Sequence, residues 1–125
     1  MKYVVDTHSL LYLIYDPQSL GLKAKRVFGD DASQLLIPTM ALLECQYLIE
    51  IGKIEGQIAD IMHYIRRKDG MEIVGYQEEQ LMESLVLQGT RDPFDRIILA
   101  TALCWKIPIL TKDRWMKDHY PHTLW

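Results

Sequence analysis

The chain has 125 residues, of which 49% are hydrophobic and 25% charged, and a formal charge of −3 at pH 7. This size and composition predict one globular domain over residues 1–125. The acidic balance argues against a surface that binds nucleic acid everywhere, although acids that hold a metal ion also make a chain acidic. No apolar run approaches the roughly 20 residues of a membrane span, and no signal peptide is visible, so we expect a cytoplasmic protein without membrane contact.

The two cysteines, Cys45 and Cys104, lie in apolar helical patterns and lack the CxxC spacing of a metal or redox site. Their pattern predicts free, buried thiols in a reducing compartment.

The first third of the chain alternates strand and helix patterns. Tyr3-Val4-Val5 is a short β-branched run that stops at Asp6, and a helical pattern follows directly. Asp16-Pro17 ends this helix, and Thr39 is a fair N-cap for a later one. The predicted elements are a strand over 2–6, helices over 7–16 and 19–28, a strand over 35–37 and a helix over 39–51.

The rest of the chain continues the alternation. An amphipathic pattern at Ile58, Ile61, Met62 and Ile65 indicates a helix with a basic end. The predicted elements are helices over 55–68, 77–88, 93–105 and 113–119, strands over 71–74 and 107–111, and an edge strand over 122–125. Such alternation predicts an α/β fold of three layers, α/β/α, with a central parallel sheet.

Several carboxylate residues are expected beyond the carboxyl ends of the strands, which is where parallel sheets of this kind bind their ligands. Asp6 and Asp113 each follow a predicted strand, although each is also a favoured N-cap for the next helix. Glu44 projects from an apolar helix face, where an ionised carboxylate is costly unless a cation or a donor meets it. It could also reach solvent or pair with a basic side chain.

The segment from Arg91 to Arg96 opens a helix that is apolar all round beyond it and must therefore be buried. Asp92 is a natural N-cap and Pro93 suits the first helical position. Capping accounts less well for Asp95, because one capping acid would suffice.

Singly, each acid has an ordinary structural explanation, but together they are expected to converge on one cleft. Clustered carboxylates cannot all stay ionised without a cation, and oxygen-only ligands suit Mg²⁺ or Mn²⁺. The four histidines lack paired zinc spacing and are expected at the surface or in loops. They are His8, His63, His119 and His122.

At this point the chain resembles the PIN-domain ribonucleases, above all the VapC-type toxins of type II toxin–antitoxin pairs. The resemblance covers the whole chain, and its most specific segment is Arg-Asp-Pro-Phe-Asp-Arg-Ile-Ile-Leu-Ala-Thr-Ala at 91–102. The other matching segments are Tyr-Val-Val-Asp-Thr-His at 3–8, Leu-Leu-Glu at 42–44, Ile-Leu-Thr-Lys-Asp at 109–113 and Thr-Leu-Trp at 123–125.

The resemblance implies a sheet of strand order 3-2-1-4-5 and a Mg²⁺-dependent (or Mn²⁺-dependent) endoribonuclease. Asp6 and Asp95 match the principal metal-binding acids, and Glu44 and Asp113 match the other two of a catalytic quartet. Asp92 and Thr111 match supporting positions. The implied partners are an RNA substrate, a cognate antitoxin and a second copy in a homodimer.

RNA would need positive charge beside this cleft, and Lys53, Arg96, Lys112 and Arg114 are candidates, although each could be an ordinary solvated helix end.

Exposed apolar stripes over 22–65 could form a dimer or hold an antitoxin helix. Two alternatives remain within the family, a nuclease that is not a toxin and a non-catalytic scaffold that binds RNA or protein. A haloacid-dehalogenase-type phosphohydrolase is more remote, because it needs an aspartate where this chain has His8.

Overall fold

A computed structural model describes all residues 1–125, in five strands and seven α-helices. The strands are β1 (Lys2–Val5), β2 (Gln34–Pro38), β3 (Met71–Val74), β4 (Ile109–Leu110) and β5 (Thr123–Leu124). The helices are α1 (Thr7–Tyr15), α2 (Leu22–Gly29), α3 (Thr39–Glu50), α4 (Ile58–Arg67), α5 (Glu78–Leu85), α6 (Pro93–Trp105) and α7 (Arg114–His119).

The strands form one parallel sheet in the order β3-β2-β1-β4-β5, which confirms the predicted fold and strand order. β1 is central, and Val4 lies opposite Leu36 of β2 and Ile109 of β4. The chain winds from β1 towards one edge and then returns to the other side through β4. The carboxyl ends of β1 and β4 therefore flank the point where the strand order reverses, which is where such sheets bind ligands.

Each face of the sheet carries its own buried core, because neighbouring side chains of a strand point to opposite faces. Val5 packs in a cluster of 14 buried residues that includes residues of α1, α2 and α4. Val4 packs in a cluster of 11 that is built mainly on α6. Residues 97–102 of α6 are all buried, as their continuous apolar pattern predicted.

Two predicted helices begin later in the structure than in the sequence pattern. The helix predicted over 19–28 begins at Leu22, because Leu20 and Gly21 are extended and a 3₁₀ turn occupies Pro17–Ser19. The helix predicted over 55–68 begins at Ile58, after Gly56 takes a φ of +145° that helical residues do not adopt.

Other boundaries differ in the second half of the chain and at α3. α5 ends at Leu85 rather than at 88, and β4 covers two residues rather than the predicted 107–111. A left-handed Lys106 at the end of α6 (φ 55°) directs Ile107 back to bond with that helix, which delays the strand. Thr39 is the first residue of α3 and provides no side-chain cap.

Both cysteines are free, as predicted, but only Cys45 is buried; Cys104 is partly exposed. None of the helices combines the length and the apolar character that a membrane-spanning helix needs.

Candidate functional site

Asp6 lies at the carboxyl end of β1, and protein donors already occupy both oxygens of its side chain. One oxygen accepts a hydrogen bond from the backbone N–H of Ser9 at 2.8 Å, which caps α1. The other accepts the hydroxyl of Thr111. Burial raises the pKa of Asp6, and these hydrogen bonds oppose the rise. Asp6 is thus both a helix cap and a buried carboxylate at the reversal point.

Thr111 and Asp113 extend the same arrangement from the end of β4. The N–H of Asp113 donates to the Thr111 hydroxyl oxygen at 3.0 Å, so Thr111 connects Asp6 with Asp113. The Asp113 carboxylate accepts from the N–H of Met116 at 2.9 Å and caps α7. The predicted supporting position of Thr111 therefore has a concrete contact.

Glu44 is 6% exposed on α3, and its partner is a residue that the sequence interpretation missed. The hydroxyl of Thr7 donates to Oε1 of Glu44, so the carboxylate meets a donor rather than a basic side chain or bulk water. Burial raises the pKa of Glu44, with further rises from the charges of Asp92 and Asp6. The sequence signal for Thr7 was its place directly after the strand-ending aspartate.

Asp92 and Asp95 open α6 and differ in their hydrogen bonds. Asp92 caps the helix, accepting from the N–H groups of Phe94 at 2.9 Å and Asp95 at 3.2 Å. The Asp95 side chain is half-buried, and no hydrogen bond lowers its pKa. Burial, and after it the charges of Asp92, Asp113, Glu44 and Asp6, together raise the pKa of Asp95 to about 8.

The structure brings three of these carboxylates into one tight group. One oxygen each of Glu44, Asp92 and Asp95 lies within 4.8 Å of the other two. Asp6 and Asp113 lie outside this group but are close enough for their charges to raise the pKa of Asp95. The sequence interpretation gave Asp92 only a supporting role. In the structure, Asp92 completes the tight group with Glu44 and Asp95, whereas Asp6 and Asp113 do not belong to it.

The residues around the group fit a hard divalent cation. All donors are carboxylate oxygens, the ligand type of Mg²⁺ and Mn²⁺. Every charged group that shifts the pKa of Asp95 is itself acidic. For Asp6 and Glu44, the one neighbouring charge that lowers the pKa is that of His8. All four histidines are exposed, as the sequence interpretation expected.

The four basic candidates lie in different settings. Arg96 donates from Nε to the carbonyl of Thr90 at 2.8 Å. Lys112 donates to the Tyr12 hydroxyl at 2.6 Å and lies 4.5 Å from the centre of that ring. Lys53 and Arg114 are exposed, in the turn after α3 and at the start of α7. Lys112 and Arg114 flank Asp113, and Arg96 follows Asp95, so three of the four adjoin an acid of the site.

Comparisons with known proteins agree with this fold. The PIN domain family matches residues 3–120. Ribonuclease VapC22 of Mycobacterium tuberculosis is 25% identical over 127 residues, which cover 98% of this chain and 97% of that protein.

Two solved structures share the fold. The structure of VapBC2 from Rickettsia felis, bound to a DNA fragment from the promoter, superposes with a TM-score of 0.67 at 15% identity, covering 99% of this chain and 96% of the other. A toxin–antitoxin complex from Klebsiella pneumoniae gives a TM-score of 0.68 at 19% identity, over 98% and 96%. The resemblance inferred from the sequence is confirmed: the chain belongs to the PIN domain family.

Proposed function

We propose that this chain is a Mg²⁺- or Mn²⁺-dependent endoribonuclease and the toxin of a toxin–antitoxin pair. One observation carries the proposal: Asp95 lies half-buried among four other acids, with Glu44 and Asp92 inside 4.8 Å and no basic side chain among the charges that shift its pKa. A fold has no structural need for such a group unless a cation neutralises it. The family match and the similarity to a ribonuclease over nearly the whole chain support the same activity.

The residues have separate tasks in this mechanism. Asp95, Glu44 and Asp92 would hold the ion, with Asp6 and Asp113 on the β1–β4 side of the cleft. The chemistry that a bound Mg²⁺ or Mn²⁺ supplies at such a site is neutralisation of phosphate charge and a lower pKa for a water molecule.

The hydrogen bonds of the site keep its acids in fixed positions. Thr7 holds Glu44 and the N–H of Met116 holds Asp113, so either carboxylate can orient the attacking water. Thr111 holds Asp6, which keeps the β1 and β4 ends together. Attack by water on phosphorus with the 3′ oxygen as leaving group would give 5′-phosphate and 3′-hydroxyl ends, and it needs no 2′-hydroxyl nucleophile. Single-stranded or looped RNA is the expected substrate, because its bases are accessible.

The decisive experiment measures cleavage of a single-stranded RNA by the purified full chain. We expect cleavage with Mg²⁺ or Mn²⁺, none with EDTA, and a loss of at least about a thousandfold in Asp95→Asn, equivalent to the several kcal/mol that metal neutralisation supplies. Asp118→Asn is the matched control, since Asp118 is an exposed acid on α7. Cleavage that persists in EDTA and in Asp95→Asn would overturn the proposal.

The toxin assignment has its own support and its own test. The similar structure from Klebsiella pneumoniae is described as a toxin–antitoxin complex, and the one from Rickettsia felis is VapBC2 bound to promoter DNA. Induced expression of the wild-type chain should arrest bacterial growth, and Asp95→Asn should not, although both accumulate. Growth that continues while RNA is cleaved in vitro would instead indicate a PIN nuclease that is not a toxin.

The partners proposed for the chain are an antitoxin and a second copy in a homodimer. Exposed apolar side chains within 22–65 agree with such contacts: Leu22, Leu43, Tyr47 and Ile51. A second exposed group, on and near α5, was not foreseen from the sequence: Tyr76, Leu81, Met82, Leu85 and Val86. Light scattering of the purified chain should give the mass of a dimer, and a monomer at micromolar concentration would contradict that part of the proposal.

A further inference from the structure

A polar cavity lies beside the start of α6. Its volume is about 430 Å³ and it is lined by Gln88, Gly89, Thr90, Arg91 and Arg96. None of its lining residues is hydrophobic, whereas the four other sizeable cavities of the chain each have three or four hydrophobic lining residues. Two guanidinium groups and no carboxylate line it, which is the chemistry of an anion site.

The loop that forms the cavity is held in place by contacts of its own. The indole N–H of Trp115 donates to the carbonyl of Gln88 at 2.7 Å. Gly89 has a φ of +90°, and a Cβ there would lie 3.1 Å from the Trp115 indole nitrogen. The N–H of Asp92 donates to the Thr90 hydroxyl at 3.2 Å. The loop therefore has a defined shape before any ligand binds, which lowers the entropic cost of binding.

Arg96 is oriented rather than neutralised. Its Nε donates to the Thr90 carbonyl at 2.8 Å, and this acceptor is uncharged. Although Arg96 directly follows Asp95 in the chain, this hydrogen bond holds its guanidinium beside Thr90, and both residues line the cavity. Its Nη groups, and the exposed Arg91, remain available in the fork geometry that matches a phosphate.

The position of the cavity indicates which anion it would bind. Arg91 immediately precedes Asp92, and Arg96 immediately follows Asp95, so the cavity adjoins the acidic group at both ends of the first turn of α6. A polyanion with one phosphate at the acidic group would place a neighbouring phosphate near the two arginines. A free anion would have no reason to bind next to a cluster of acids.

We propose that Arg91, Arg96 and the loop 88–90 form a subsite that binds a backbone phosphate of the RNA substrate next to the phosphate that is cleaved. This inference rests on the nuclease function proposed above and assigns part of its substrate binding. The subsite holds the strand in register with the acids and takes no part in bond breaking. It also provides positive charge at the edge of a site that otherwise repels a polyanion.

The test uses the full chain with Arg91→Gln and Arg96→Gln. Arg26→Gln is the matched control, because Arg26 is an exposed arginine on α2, which packs against the other face of the sheet. For a short single-stranded RNA we expect KM to rise about tenfold in each variant, as loss of a charged hydrogen bond implies. The salt dependence of log KM should weaken by about one unit of slope per arginine removed.

Other readouts separate this role from a structural one. The kcat at saturating RNA and the affinity for Mn²⁺ alone should equal the wild-type values in both variants, and Arg91→Lys should recover most of the salt slope. Thermal unfolding in the same buffer verifies folding; should Arg96→Gln fail to fold, the exposed Arg91 carries the test alone. A KM and salt slope unchanged from wild type in Arg91→Gln would overturn the subsite while leaving the nuclease function intact.

Two further arms identify the ligand. If calorimetry shows that the variants lose binding of inorganic phosphate while KM for RNA is unchanged, the cavity serves a free anion and the proposal is wrong. If a polyglutamate peptide loses affinity in the variants while KM for RNA is unchanged, the cavity serves an acidic protein partner and the proposal is again wrong. A wild-type chain that binds Mn²⁺ but cleaves no RNA would overturn the proposed function and with it the substrate named here.

Discussion

The acids at the ends of β1 and β4 differ from Asp95, in the first turn of α6, in what surrounds them. Both oxygens of Asp6 accept protein hydrogen bonds, and Asp113 accepts one from the backbone of α7. Asp95 has acids for neighbours and no hydrogen bond that lowers its pKa. The hydrogen bonds of Asp6 and Asp113 stabilise the fold, whereas an ionised Asp95 is unfavourable unless a cation neutralises it. One cleft thus combines a self-sufficient half with a half that requires a ligand.

The largest effect on stability should come from Asp6. Replacing it by alanine leaves the buried N–H of Ser9 and the hydroxyl of Thr111 without acceptors, and removes the cap of α1. We expect Asp6→Ala to lower the free energy of unfolding by about 2–4 kcal/mol in EDTA, measured by urea denaturation.

Asp95→Ala is the matched variant on the other side of the cleft. It removes a carboxylate that metal-free protein holds among like charges, so the free energy of unfolding at pH 8 should stay constant or rise. Equal destabilisation by Asp6→Ala and Asp95→Ala would contradict the claim that Asp6 stabilises the metal-free fold and Asp95 does not.

The second effect concerns the ion itself. Mn²⁺ at a hundred times its dissociation constant should stabilise the wild-type chain by about 2.7 kcal/mol, by linkage to the folded state. This gain should vanish in Asp95→Asn and persist in part in Asp113→Asn, because Asp113 lies outside the tight group. The measurement is the shift in thermal unfolding with and without Mn²⁺. Equal loss in both variants would show that Asp113 is as much a ligand as Asp95.

The order of elements and the place of the acids could be predicted from the sequence, because both depend on local signals. Asp92 and Pro93 mark the start of α6, and the predicted helix over 93–105 agrees with the structure at both ends. Strand-ending aspartates placed Asp6 and Asp113 at the reversal of the sheet. The strand order follows from the resemblance to the PIN-domain ribonucleases and not from a local signal.

The contacts within the site could not be predicted, because they join residues far apart in the chain. Thr7 and Glu44 are 37 positions apart, and Thr111 and Asp6 are 105 apart. The nearness of Asp92 to Glu44 depends on how α3 and α6 pack, which periodicity does not specify. The late start of α2 likewise depends on packing of Gly21 against Trp125.

The third effect is a pH dependence of the metal-free chain. Burial, together with the charges of the neighbouring acids, raises the pKa of Asp95 from its ordinary value of 3.8 to about 8, so between these values the folded state binds a proton that the unfolded state does not. The free energy of unfolding should therefore fall as the pH rises from about 4 to about 8. Urea denaturation in EDTA across this range measures the slope.

The substitution Asp95→Asn should flatten this slope without removing it, because burial also raises the pKa values of Asp6 and Glu44. Asp118→Asn, which changes an exposed acid, should leave the slope as it is in the wild type. A free energy of unfolding that rises with pH over this range would contradict the raised pKa values, and with them the proposal that these acids bind a cation.

The smallest effect should come from Thr7, which links the two halves: it begins α1 next to Asp6 and donates to Glu44 in the ligand group. Thr7→Val keeps the side-chain shape but removes the donor that orients Glu44, so we expect the dissociation constant for Mn²⁺ to rise on the order of tenfold, as loss of an outer hydrogen bond to a ligand does.

Thr101→Val is the control, since the buried Thr101 hydroxyl donates only to the Ile97 carbonyl of its own helix. Calorimetric titration with Mn²⁺ compares the two variants. Both variants remove one buried hydroxyl. A weaker affinity for Mn²⁺ in Thr7→Val alone would therefore assign the effect to the orientation of Glu44. Equal weakening in both variants would assign it to a general loss of packing and contradict the role proposed for Thr7.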